Sequence, residues 1–140
     1  MTNGSLSAIT GIGVTRSAVF TPSNNLDTRT ATITVSGSTY QDVAGNNGGG
    51  GATPGLSLDT LKPSINSVAI SSATDAQNNT LNASDTANIS VVFSETVNLN
   101  LTSGSPTVSL LIGTSTALAT YVSGAGSNTL VFTTPIASGQ

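Results

Sequence analysis

The sequence predicts an all-β protein built as a β-sandwich. Short runs of about four to seven residues alternate between apolar and polar side chains, as strands with one buried face do. Clusters of Asn, Gly, Ser or Pro separate the runs, and no window of eleven or more residues holds the 3.6-residue apolar stripe of a helix. Regular short strands with turns between them are typical of a sandwich.

The first series of predicted strands lies before residue 60. Residues 18–21 and 31–35 are separated by the polar turn 22–27, so we expect them to be neighbouring antiparallel strands. Four glycines at 48–51 predict a loop, because a strand interior accepts glycine only at a cost. Alternation resumes at 56–58 and ends before Pro63, which lacks a backbone donor for a strand ladder.

A second series of predicted strands follows Pro63, at residues 65–70, 87–93, 108–112, 117–122 and 130–132. Within the clearest of them, Ile89, Val91 and Phe93 should face the core, since side chains alternate between the two faces of a strand. The predicted core of the chain consists of branched and aromatic side chains in both series: Ile33, Val35, Ile89, Val91, Phe93, Leu110, Ile112 and Phe132.

The composition excludes several classes of function. Among 140 residues there are three basic and six acidic side chains, no histidine and no cysteine. Zinc fingers, thiol nucleophiles and serine–histidine pairs are therefore excluded. Three basic side chains cannot neutralise a run of phosphates, so we expect neither nucleic-acid binding nor attraction to an anionic membrane, and no apolar stretch predicts a membrane span or a signal peptide.

Enzymatic activity is not expected either. A glycosidase would need a pair of carboxylates in a cleft, for which Asp85 and Glu95 are the available example. Such a site normally surrounds its sugar with aromatic and charged groups, but the chain has two tyrosines, three phenylalanines and no tryptophan.

Several short motifs, in their order along the chain, resemble those of a known family. Residues 31–35 precede Tyr-Gln-Asp-Val-Ala-Gly-Asn at 40–46 and Leu-Asp-Thr-Leu-Lys-Pro at 58–63, and residues 80–85 precede Val-Val-Phe-Ser-Glu-Thr-Val at 91–97. This order resembles the bacterial Ig-like repeats that occur in tandem in large surface adhesins and biofilm-associated proteins. The resemblance implies an immunoglobulin-like antiparallel β-sandwich, located extracellularly at the bacterial cell surface.

The order of the motifs predicts two partial repeats in permuted register. Residues 1–61 would be the C-terminal part of one Ig-like repeat, and residues 62–140 the N-terminal part of the next. Each is shorter than the roughly 100 residues of a complete Ig-like sandwich. Two explanations stay open: the sequence is a fragment of a longer array, or the unfinished sheet of one subunit receives strands from a neighbouring chain and forms a filament.

Four acidic residues are candidate calcium ligands: Asp42, Asp59, Asp85 and Glu95. Calcium takes six to eight oxygen ligands, which acidic and amide-rich loops can supply. The resemblance also implies that related adhesin repeats are often stiffened by calcium at their junctions. The competing interpretation is that these are ordinary turn residues, since Asp is favoured in turns and the chain has no Asp-x-Asp-x-Asp-Gly loop.

The sequence therefore predicts a non-enzymatic extracellular structural module: an adhesin stalk, spacer or filament subunit. Its expected partners are neighbouring copies or repeats of the same protein, arranged head to tail. The alternative is a carbohydrate- or surface-binding domain of the same architecture, in which Tyr40 and Tyr121 are the tyrosines available to stack on surface glycans.

Overall fold

The computed structural model describes residues 3–75 and 80–139, and these form two compact units, Met1–Lys62 and Pro63–Gln140. Strands, turns and loops make up both units, and the helical structure of the described residues is one 3₁₀ turn, Leu101–Ser103. The predicted all-β, Ig-like fold class is confirmed. The sequence placed the boundary one residue earlier, and the assignment of the two units to halves of successive repeats remains a prediction.

The first unit consists of short antiparallel ladders. Strand β1 (Gly4–Leu6) pairs with β2 (Phe20–Pro22), β3 (Arg29–Ala31) with β6 (Leu56–Leu58), and β4 (Thr34–Val35) with β5 (Gly51–Ala52). Each strand has two or three residues, so a ladder contributes few hydrogen bonds. Ala31 and Leu58 are the buried apolar residues of this unit's described part.

The predicted pairing of residues 18–21 with 31–35 is wrong. A side chain far along the chain redirects the turn between them: the Thr60 hydroxyl donates to the Ser23 carbonyl at 2.8 Å and accepts from the Leu26 N–H at 3.0 Å. The Leu26 carbonyl in turn accepts from the backbone N–H groups of Thr60 and Leu61. These bonds hold residues 23–26 against the end of the unit, and the two segments find other partners.

Residues 31–35 also form two strands instead of one. The interruption lies at Ile33, whose N–H donates to the Thr53 hydroxyl at 3.1 Å and whose carbonyl accepts from the Thr53 N–H at 2.9 Å. As a result Val35 is exposed and Ile33 only half-buried, so the prediction of Val35 as a core residue is wrong. Gly51, predicted to be in a loop, pairs with Val35 in β4–β5.

The second unit contains one five-stranded antiparallel sheet. Its strands are β7 (Ile65–Thr74), β8 (Thr86–Val97), β9 (Thr107–Ile112), β10 (Ser115–Ser123) and β11 (Ser127–Pro135). Their order across the sheet is β7-β8-β11-β10-β9. All five strands predicted after Pro63 are present, and most extend beyond the predicted segments.

One face of this sheet forms the core. Ile89 and Val91 of β8, Leu130 and Phe132 of β11 and Ala119 of β10 are buried together. Phe93 and Leu110, both predicted as core residues, pack against this cluster while partly exposed. Tyr121 adds an edge-on ring contact with Phe132, with centroids 6.0 Å apart. The predicted inward orientation of Ile89, Val91 and Phe93 is therefore correct.

The apolar face continues beyond the core onto strand β7. Ile70 lies opposite Ile89 and Val68 opposite Val91, and directly opposite residues of an antiparallel pair share a face. Ile89 is 2% exposed, whereas Ile70 is 57% exposed. The sheet thus has an apolar face that is covered at its centre and open along the β7 edge.

Substitutions at the two opposed isoleucines, Ile70 and Ile89, should show how differently the covered and the open parts of this face contribute to stability. We expect Ile89→Ala to lower the free energy of unfolding of the second unit by about 2–5 kcal/mol, because it leaves a cavity in the core. Ile70→Ala should lower it by less than about 1 kcal/mol, because the side chain is mostly in water already. Urea denaturation of a dilute sample measures both; equal losses would contradict the open edge.

Candidate functional site

Strands β7 and β9, the two edges of the sheet, line one groove. Ile70 contributes from β7, Leu110, Leu111 and Ile112 from β9, and Ala87 and Ile136 from the elements between. The groove has a volume of about 370 Å³. Because edge strands at opposite ends of the sheet border the same groove, the sheet must curl toward closure without completing it. We call this feature the β7–β9 groove.

The β7 side of the groove has few of the features that protect a sheet edge. Natural edge strands commonly carry charges or proline to prevent pairing with another chain. Residues 65–74 include neither. Shifts of register between Ile65 and Ser67 and between Ile70 and Ser72 interrupt the ladder, but Val68, Ala69 and Ile70 lie in regular pairing between them. This stretch is therefore an uncharged sheet edge with a regular ladder on one side.

A second apolar feature lies in the first unit, at the tip of the hairpin formed by β1 and β2. Backbone bonds between Thr10 and Ser17, at 2.8 and 2.9 Å, extend the ladder toward the tip. Beyond them Ile12 is 91% and Val14 106% exposed, and Ile9 is also mostly exposed. We call residues 9–14 the apolar hairpin tip. No role was predicted for these residues from the sequence, although apolar residues alternating with Gly11 and Gly13 indicate a solvent-exposed turn.

Arg16 holds the backbone of this tip in place. Its guanidinium donates to the Gly13 carbonyl at 2.7 Å and to the Thr15 carbonyl at 3.2 Å. The same bonds bring a positive charge next to Val14. The apolar hairpin tip is therefore a locally ordered projection with one cation beside it.

Asp42 closes a compact turn in the motif Asp-Val-Ala-Gly-Asn. Its carboxylate accepts from the backbone N–H groups of Ala44 and Asn46 and from the Asn46 side-chain amide, each at 2.9 Å. These bonds, above all those from Asn46, hold the pKa of Asp42 below its ordinary value because they favour the ionised form. A calcium ion here would have to share the carboxylate with three N–H donors.

The other calcium candidates are also placed in turns or strands. Asp59 accepts from the Leu61 N–H at 3.2 Å, and the buried Asp85 accepts from the Asn82 N–H at 2.6 Å. Glu95 is half-buried in β8. Within residues 3–75 and 80–139, no group of three or more acidic side chains could hold a metal. Calcium binding stays a prediction, and a melting temperature raised by millimolar calcium over chelator would support it.

Both tyrosines take part in local contacts. The Tyr40 hydroxyl donates to the Gly49 carbonyl at 2.8 Å, and its ring lies where a β-carbon on Gly48 would sit. The Tyr121 hydroxyl accepts from the Ala125 N–H at 3.0 Å, and its ring packs on Phe132. Glycine at position 48 is thus required by the Tyr40 ring, which remains 53% exposed.

The comparison with known families bears on the first unit. Residues 1–57 match the model of the bacterial Ig-like domain. The matched segment of this chain contains β1 to β5, the apolar hairpin tip and the Asp42 turn. This segment is similar to the bacterial Ig-like domain. No curated protein and no solved structure matches the chain. In the described part of the chain, no helix has the length and apolar character needed to cross a membrane.

The hydrogen bonds of the Asp42 carboxylate predict that the stability of this turn depends on pH. The folded pKa of Asp42 is lowered from 3.8, so the carboxylate stabilises the turn above that pH, and this contribution is lost as the pH falls through the depressed folded value. We expect an NMR titration of the Asp42 carboxyl to have its midpoint below 3.8, with the Ala44 and Asn46 amides shifting in parallel. A midpoint at or above 3.8, or amides that do not follow it, would argue against these bonds.

Proposed function

We propose that this chain is a non-enzymatic structural module of a bacterial surface array, acting as an adhesin stalk, spacer or filament subunit outside the cell. The observation that carries the proposal is the bacterial Ig-like match over residues 1–57, since domains of that family are typical of surface and extracellular proteins. The remaining support comes from the architecture of the second unit and from the composition.

The second unit is suited to bearing load. Strand β8 has twelve residues and is hydrogen bonded along both edges, to β7 on one side and β11 on the other. Pulling such a strand out of the sheet requires breaking two antiparallel ladders. The core cluster on this face, with Ile89 and Phe132 at its centre, would be exposed in the same step.

The composition supports an extracellular role. Charged residues make up 6% of the chain, and Ser and Thr contribute 44 of its 140 residues. Hydroxyl groups hydrate the surface without the charges that most soluble domains carry. Copies of such a module can lie next to one another with little electrostatic repulsion, as a dense surface array requires.

The filament form of this proposal draws on the open sheet edge. A sandwich completed by strands from a neighbouring chain needs a receiving sheet with a free edge and an uncovered apolar face. Strand β7 supplies both, with Val68 and Ile70 exposed on the face that is buried elsewhere. The carbohydrate-binding alternative rests on Tyr40 and Tyr121 alone, and the hydroxyl of each tyrosine is already hydrogen bonded within the chain.

Single-molecule force spectroscopy on the full chain tests the mechanical role. Pulled from its ends, the second unit should unfold in one cooperative event that releases up to about 28 nm of chain, since its 78 residues each extend to at most about 3.6 Å. Ile89→Ala should lower the unfolding force, because it weakens the core.

The matched control for this experiment is Leu118→Glu. Leu118 is 59% exposed and lies between the inward-facing Ala117 and Ala119, so its side chain points away from the core and the unfolding force should not change. An extension curve without a cooperative event in the unmodified chain would contradict a load-bearing role.

A further inference from the structure

We propose that the apolar hairpin tip of one copy inserts into the β7–β9 groove of a second copy, so that copies join head to tail. This inference rests on the structural function proposed above and names the surfaces that would assemble the array. It assigns the occupant of the groove to a second copy of this chain.

One of the two surfaces projects and the other is concave, and both are apolar. The apolar hairpin tip is a projection, with Ile12 and Val14 almost wholly in water and a backbone fixed by Arg16. The groove is a concave site lined by aliphatic side chains from both sheet edges. Apolar side chains this exposed are removed from water most completely when they enter a cavity of matching chemistry. The projection on the first unit of one copy can therefore bury its apolar side chains in the groove on the second unit of another.

The charges favour pairing between unlike units. All three basic residues, Arg16, Arg29 and Lys62, lie in the first unit. The second unit contains three acidic residues, Asp75, Asp85 and Glu95, and no basic residue. Two grooves brought face to face would therefore bring together like charges. The approach of the hairpin tip brings Arg16 toward a unit whose formal charge is negative, so attraction favours contact between the first unit of one copy and the second unit of another.

The contact is heterologous, because it joins different surfaces of the two copies. Each copy keeps one free tip or one free groove after pairing, so growth continues in one direction unless the rotation between copies closes a ring. An assembly of this kind has no preferred size and lengthens with protein concentration. A symmetric contact between two β7 edges would instead stop at a dimer.

Two single substitutions in the full chain test the assignment. Ile12→Glu places a charge on the tip, and Ile70→Glu places one in the groove; both side chains are more than half exposed in the single copy. Each variant should weaken association by at least about tenfold in sedimentation velocity, because an ionised carboxylate replaces a buried isoleucine. Mixed one to one, they should form a dimer and nothing larger, since one variant retains its groove and the other its tip.

Controls separate this contact from other kinds of association. Leu118→Glu, of similar exposure but on the opposite face of the sheet, should associate like the unmodified chain. If circular dichroism shows that Ile70→Glu disturbs folding, Ile70→Thr replaces it in the assay, because threonine is also a branched side chain suited to a strand. It should also weaken association and be complemented by Ile12→Glu.

The remaining outcomes overturn the proposal. An unmodified chain that stays monomeric at millimolar concentration excludes the contact between copies. If Ile12→Glu still self-associates and only Ile70→Glu loses self-association, the copies pair symmetrically through their β7 edges. If Leu118→Glu loses self-association to the same extent as the other two variants, the association is nonspecific aggregation. A cooperative unfolding event in the pulling experiment, together with any of these results, would leave the load-bearing role standing and remove only the head-to-tail contact.

Discussion

The apolar face of the five-stranded sheet is the constraint on which the rest of the structure depends. A sheet with one apolar face must bury it against another layer or curl around it. Here curling covers the centre, where Ile89 and Phe132 are buried, but not the edge, where Val68 and Ile70 meet water. The groove between β7 and β9 is the direct result, because the two edges approach each other without pairing.

The first unit depends on hydrogen bonds far more than on a core. Thr60 ties the end of the unit to the turn at 23–26, Asp42 closes its own turn, and Tyr40 lies across Gly48 and bonds to the next carbonyl. These local contacts order loops that the short ladders could not hold. They leave a hairpin free to project its apolar tip into solvent, where a large core would have drawn those side chains inward.

The alternation of apolar residues was enough to predict the second unit's strands. Ile89, Val91 and Phe93 show the period of two clearly, and they face the core. The same alternation in β7 could not reveal that Ile70 is exposed, because a strand pattern reports which face is apolar and not whether another layer covers it.

The pairing in the first unit was beyond prediction for a different reason. It depends on Thr60, more than thirty residues from the turn it holds, and the contact of Tyr40 with Gly48 likewise depends on a fold that no local pattern specifies. Asp42, Asp59 and Asp85 accept hydrogen bonds from neighbouring N–H groups, which sequence spacing alone does not show.

Hydrogen–deuterium exchange at a series of protein concentrations tests the central claim most directly, because it reports whether the open apolar face becomes covered. We expect amides of residues 65–74, 107–112 and 9–14 to be increasingly protected as concentration rises, while those of Ile89 and Phe132 keep the same slow exchange throughout. Protection of β7 that is already complete in dilute solution, or that never changes with concentration, would contradict an open sheet edge awaiting a second copy.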